Sequence, residues 1–263
     1  MFTQKRKLLS QNFLHNRQLV QHLVRSSSIG KKDLVIEIGA GNGIITHELA
    51  KRANKVIALE VDPKFLHLLK SKFHLSPNIN LIQADFLKFH LPDKQYKVFS
   101  NLPFRITADS IRKLLSSSQF QEAHLIVQKE AAAKYLSNRH HHFLISILYY
   151  PWYKFQVIHQ FNQFDFTPRP RVRPVLLHIV RRTTPLVPNR LKNKYFDYIS
   201  YHFNKDRTAK LNSSNTWLQQ FLLETDRTYY LGHFGKLTKE QTKLPKIYRT
   251  RNDPSWRIFR MKK

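Results

Sequence analysis

Short, nearly continuous apolar runs occupy residues 34–38, 55–59, 78–83 and 96–100. Runs of this kind suit strands buried on both faces of a parallel sheet. The stretches between them return to helical spacing. Residues 17–25 place Leu19, Val20, Leu23 and Val24 on one face, and residues 44–53 and 106–115 follow the same period. Pro63, directly after Asp62, suits the first turn of a helix running to about residue 73. Strand, turn and helix in alternation predict an α/β fold. Further strands are expected at 123–127, 143–150, 152–159 and 175–180, with a helix starting at 128–133. Beyond Arg181-Arg182 and the prolines at 185 and 188 the pattern changes. Residues 191–203 and 215–223 read as helices with no strands or glycine turns around them. A boundary is therefore expected near 181–188, dividing the chain into domains 1–182 and 183–263.

The first strand runs straight into Gly39-Ala40-Gly41-Asn42-Gly43 and then a helix. Glycines there permit a tight turn and a close ligand, and a helix N-terminus presents unpaired N–H groups. The spacing is G-x-G-x-G, not the G-x-G-x-x-G of dinucleotide-binding proteins. The second strand closes on Glu60, which is either a plain strand-end carboxylate or an acceptor for ribose hydroxyls; its distance from the glycine turn favours the ribose role. Asp85, past the third strand, can accept from an adenine amino group with Phe86 beside the ring. The fourth strand ends in Asn101-Leu102-Pro103-Phe104, where proline stops the ladder. Asn101 offers an oxygen to an exocyclic amine, and Phe104 offers a face on which a base can stack. Glu60, Asp85 and Asn101 thus come to one edge of the sheet and outline a nucleoside-sized cleft.

Charge narrows the partners. The chain has 263 residues, is 41% hydrophobic, and carries a formal net charge of +28. That composition supports a packed core, and the field attracts polyanions. Lys and Arg outnumber Asp and Glu by 23 to 10 in residues 1–164 and by 22 to 7 in the shorter remainder. No apolar run is long enough to span a bilayer, and no secretory signal is visible, so a cytoplasmic protein is expected. With no cysteine there is neither a disulfide framework nor a thiolate site. His140-His141-His142 is expected to be a solvent loop, because adjacent histidines do not share a face, and no metal site is expected. The loop from Phe164 to Pro174 sets Arg169, Arg171 and Arg173 among prolines, an arrangement suited to phosphate contact. Lys192, Lys194, Lys205, Arg207 and Lys210 make the C-terminal domain basic, while Tyr229, Tyr230, Tyr248 and Trp256 are expected to serve as core or docking aromatics.

Taken together, Gln11-Asn12-Phe13-Leu14, Glu37-Ile38-Gly39-Ala40-Gly41-Asn42-Gly43, Glu60, Asp85, Asn101-Leu102-Pro103-Phe104 and Phe166-x-Pro168-x-Pro170-x-Val172 resemble the Erm family of ribosomal RNA adenine-N6 methyltransferases, relatives of the KsgA-type small-subunit dimethyltransferases. Residues 111–115, 128–132 and 176–182 look more like Erm, whereas Leu102 is a KsgA-like feature. The resemblance implies a class I S-adenosylmethionine-dependent methyltransferase fold: a Rossmann-like, seven-stranded sheet with the last strand antiparallel, followed by a small helical RNA-binding domain. It implies that Gln11, Asn12, Leu14, Gly39 and Gly41 line the cofactor site. Glu60 would hold the ribose, Asp85 with Phe86 the adenine, and Asn101, Leu102 and Phe104 the target base, Asn101 also bordering the cofactor. Arg105, Arg112, Lys134, Arg169, Arg171 and Arg173 are the expected RNA contacts. The implied substrate is one adenine of 23S rRNA, free or in an assembling large subunit, at the macrolide site. A monomer is expected.

Overall fold

The apolar runs form the sheet. In the computed structural model, which describes residues 12–136, 142–205 and 213–225, the strands are β1 (Leu34–Ile38), β2 (Lys55–Glu60), β3 (Ile79–Gln83), β4 (Tyr96–Asn101), β5 (Phe120–Gln128), β6 (Tyr153–Gln160) and β7 (Pro174–Arg181). Their order across the sheet is β3-β2-β1-β4-β5-β7-β6. The first five pair in parallel. β7 runs antiparallel to β5, with His124 opposite His178 and Gln128 opposite Pro174. The order reverses between β1 and β4, and the crevice beyond their C-terminal ends is where an open α/β sheet receives a ligand.

Helices α1 (Arg17–Ser26), α2 (Ile44–Arg52), α3 (Pro63–Lys72), α4 (Thr107–Ser116) and α5 (Lys129–Ala133) are interspersed with the strands. Asn16 caps α1 by accepting from the Leu19 amide, and Asp62 caps α3 ahead of Pro63. The apolar stripe of α1, Val20, Leu23 and Val24, packs into one core cluster with Val35, Leu49, Phe99, Ile126 and Leu176. A short clasp ties the start of the described chain to a distant loop. Phe13 and Leu14 pair antiparallel with Thr167 and Phe166, the His15 amide donates to the Asp165 carbonyl, and Asn16 Nδ2 donates to Asp165 Oδ1.

Three expectations change. Residues 143–150 hold a helix, α6 (Leu144–Tyr149), not a strand. The run is apolar but for Ser146 and carries no period that separates the two, and the buried residues Leu144, Ser146, Ile147 and Tyr149 lie on more than one side of the helix. His142 is buried, not part of a solvent loop; His140 and His141 lie outside the described residues. The division between units also differs. Among the described residues, one unit comprises those up to Ala133 with Lys154–Arg181, and the other comprises those of Lys134–Tyr153 with those from Arg182 onward.

The second unit contains α6, α7 (Lys192–Lys205) and α8 (Ser214–Thr225). Its centre is aromatic: Tyr195 meets Trp152 and Phe221 edge-on, and Phe196 meets Tyr149 and Trp152 in the same manner. The Tyr195 hydroxyl donates to the Ile147 carbonyl at 3.0 Å, satisfying its one buried polar atom. Lys192 lays its ammonium over the Tyr149, Trp152 and Phe196 rings, so that charge is partly engaged within the unit. The expected basic and aromatic residues Arg207, Lys210, Tyr229, Tyr230, Tyr248 and Trp256, and the side chain of Lys205, lie outside the described residues. Among those described, no helix is long and apolar enough to cross a membrane.

Candidate active site

At the C-terminal ends of β1, β2 and β4, one cleft is lined by Asn12, Phe13, Gly39, Gly41, Glu60 and Val61. Asp85, Phe86, Asn101, Leu102, Phe104 and Arg105 complete the lining. The turn after β1 is glycine by necessity. Gly41 has φ +54, and a Cβ there would stand 3.0 Å from the Phe13 ring. Gly43 has φ +74, and its Cβ would lie 2.6 Å from Leu69 Cδ2. The first leaves the backbone bare toward the cleft, and the second lets α2 start tight against α3.

Glu60 is buried, and backbone amides hold its carboxylate. Oε2 accepts from Gly41 at 2.8 Å, and Oε1 accepts from Val61 and Asp62, both at 2.9 Å. A carboxylate has about four acceptor positions, so one remains for a ribose hydroxyl. Asp85 accepts the Leu87 amide on Oδ1 and is exposed. Phe86 is buried beneath Lys113 of α4, whose ammonium lies 5.0 Å from the ring centre. The same ammonium donates to the carbonyls of Phe86, Leu87 and Phe89, pinning the loop that carries Asp85. Val61 is 48% exposed at the cleft. An apolar side chain kept in solvent beside an acid suits the face of a purine, yet nothing in its sequence context singled it out.

Asn101 Nδ2 donates to the Asn12 carbonyl at 2.7 Å. That bond fixes the amide plane and leaves Oδ1 as the atom to offer an incoming amine. Ser100 Oγ, one residue earlier, donates to the Ile38 carbonyl at 2.6 Å and locks the end of β4 to that of β1. Leu102 is anchored by its amide to the Ile126 carbonyl, and Phe104 is half-exposed. Beneath the glycine turn lies Glu37, fully buried, with the Thr46 hydroxyl at 2.5 Å from Oε2. Burial pushes its carboxyl up to about 8, so it is protonated at neutral pH.

Leu14, Arg112, Arg169, Arg171 and Arg173 are not among the residues that line the cleft. Leu14 is in the hydrophobic core, and Gln11 lies outside the described residues. Arg112 pairs with Asp109 at 3.0 Å. Arg169 stacks on Phe164 at 3.9 Å, and Arg171 and Arg173 are exposed on the same loop. Lys134 is exposed and belongs to the second unit.

A family model described as "Ribosomal RNA adenine dimethylase" matches residues 2–241. The chain belongs to that family. A family relative from Limosilactobacillus reuteri, "rRNA adenine N-6-methyltransferase", is 31% identical over 211 residues, covering 80% of this chain and 84% of the relative. One from Caldanaerobacter subterraneus subsp. tengcongensis, "Ribosomal RNA small subunit methyltransferase A", is 28% identical and covers 79% and 81%. The crystal structure of the 23S rRNA methyltransferase ErmE superposes with a TM-score of 0.70 at 25% identity, covering 74% of this chain and 80% of that one. The protein is accordingly an S-adenosylmethionine-dependent rRNA adenine-N6 methyltransferase with the class I α/β fold. The cleft fits the cofactor: bare glycine backbone, one acceptor position left on Glu60, an exposed Asp85 and the apolar face of Val61 match a nucleoside's hydroxyls, amine and ring.

Proposed function

We propose that the enzyme methylates N6 of a single adenine in 23S rRNA at the macrolide-binding site, and so confers macrolide, lincosamide and streptogramin B resistance. The observation that carries the chemistry is the Asn101 amide, oriented by the Asn12 carbonyl beside the half-exposed Phe104. The N6 lone pair of adenine is delocalised into the ring, which makes it a poor nucleophile. Asn101 Oδ1 and the Leu102 carbonyl accept hydrogen bonds from the amine and favour a pyramidal nitrogen whose lone pair is available. The bound cofactor supplies an electrophilic sulfonium methyl. Alignment of the amine therefore matters more than a strong base, which fits a neutral Asn. Phe104 stacks the base once it has left its helix. Glu60 and Asp85 hold ribose and adenine of the cofactor, and Arg105, exposed at the cleft, meets RNA phosphate.

The large-subunit target is supported by the Erm-like stretches at 111–115, 128–132 and 176–182 and by the likeness to ErmE. The small-subunit relative makes 16S rRNA the competing substrate. Labelled-methyl transfer to protein-free 23S rRNA, with 16S rRNA and DNA alongside, decides between them. N6-methylated adenosine from 23S alone is expected, with the mono-to-dimethyl ratio read from the same digest. Label in 16S rRNA alone would overturn the large-subunit assignment.

A further inference from the structure

Away from the cleft, β5 and β7 place three donor side chains on one face. Glu122 and His124 are two apart on β5, hence on the same side, and His178 lies directly opposite His124 on β7. Two residues at i and i+2 with a third across the pair is the spacing at which a sheet can present three ligands to one ion. Stacking keeps the rings side by side, and a shared ion requires them to rotate until their in-plane lone pairs converge. His124 lies flat against Phe99 at 5.5 Å and 15°, and His178 against His124 at 4.4 Å and 21°. His178 Nε2 is 2.6 Å from Glu122 Oε1, and His124 Nε2 is 3.9 Å from the same oxygen. The second distance is beyond a hydrogen bond. It lies within the roughly 3–4 Å between donors that share an ion at about 2.0–2.1 Å, and the 2.6 Å His178 contact lengthens to that range when the ion replaces its hydrogen bond.

We propose that Glu122, His124 and His178 bind a divalent transition ion of the zinc class, on β5 and β7 outside the lining of the cofactor cleft. Within the triad the ligand nitrogens and Oε1 all lie within 4.8 Å of one another. The carboxylate divides its work. Oε2 accepts from Ser28 Oγ and faces Lys97 at 3.8 Å, while Oε1 addresses the two imidazoles. Lys97 is itself held by Asp33 at 3.0 Å, so its charge is balanced on the far side of the carboxylate. Two nitrogens and one carboxylate oxygen suit zinc-class ions rather than magnesium or calcium. His178 keeps 23% of its side chain exposed, which gives an entry path and room for a water as fourth ligand. Glu122 pairs with Lys97, four residues back from Asn101 along β4, roughly 13 Å at about 3.3 Å per residue. The ion therefore staples β5, β7 and the Ser28 turn and takes no part in methyl transfer.

The test uses the full chain stripped with chelator, titrated with Zn²⁺ by calorimetry, with bound metal counted by elemental analysis. His178→Gln retains a hydrogen-bonding side chain for Glu122 but removes the imidazole. His140→Ala/His141→Ala removes two of the three histidines of the other cluster in the sequence. One zinc per chain is expected, raising the melting temperature. The site should be weakened in His178→Gln by more than the roughly 10–100-fold that loss of a ligand-supporting group costs, and left intact in the double variant. Circular dichroism confirms that each variant is folded. Absence of bound zinc would overturn the proposal and leave Glu122–His178 as a plain hydrogen bond. Zinc retained in His178→Gln, or lost in the double variant, would place the ion elsewhere and overturn it equally.

Discussion

Asn101 is expected to be the most sensitive single residue, because it is the one side chain that the proposed mechanism sets on the amine, the Leu102 acceptor being backbone. Asn101→Ala should lower methyl transfer by roughly 100-fold or more, the scale of losing one preorganised hydrogen-bonding group. Cofactor affinity by calorimetry should change far less, and near-normal turnover would sink the role. Glu37 makes a prediction about stability. Its folded carboxyl titrates at about 8 against an ordinary 4.5, so the folded state keeps a proton that the unfolded chain releases. The resulting stability is present at acidic pH and is lost as pH rises from about 4.5 through 8. Glu37→Gln should flatten urea-unfolding stability between those limits, where wild type falls by something on the order of a few kcal/mol. Matching profiles for the two proteins would count against a buried protonated acid. The polar residues that end strands were legible in sequence because a strand's end fixes where its side chain goes. Val61 was not, since an exposed valine after an acid has no signature of its own.

At the scale of elements, α4 organises the loop it packs beside. Lys113 donates to the carbonyls of Phe86, Leu87 and Phe89, and burial depresses its pKa, which the nearby Asp85 charge partly offsets. Lys113→Met should therefore raise the KM for S-adenosylmethionine by about tenfold, roughly 1.4 kcal/mol of binding, with a smaller change in kcat. A fall in kcat alone would mean the loop is not what Lys113 holds. Strand and helix positions were legible wherever the apolar period was clear, as in α1 and β1. The run at 143–150 misled because it is apolar at every step but one, and only burial against the second unit's aromatics selects the helix. The pairing of Glu122 and His124 with His178 depended on the β5–β7 register across more than fifty residues. No local pattern encodes that register.

For the whole molecule, the charge of +28 sets how the enzyme meets RNA. Arg169, Arg171 and Arg173 are exposed on one loop, and replacing all three by Ala should reduce the slope of log affinity against log salt by about 2–3, close to one for each phosphate no longer neutralised. An unchanged slope would exclude that loop from the RNA interface. Domain organisation was only partly legible, because the second unit draws residues 134–153 from the middle of the chain, where composition does not change. The clasp between Phe13–Leu14 and Phe166–Thr167 carries a consequence for synthesis. Asn12, which orients Asn101, immediately precedes a segment whose partner leaves the ribosome some 150 residues later. β7, which slots in beside β5, is translated later still. A nascent chain tethered at the exit tunnel, surrounded by the very class of RNA it modifies, thus lacks the finished cleft until most of the catalytic unit has emerged.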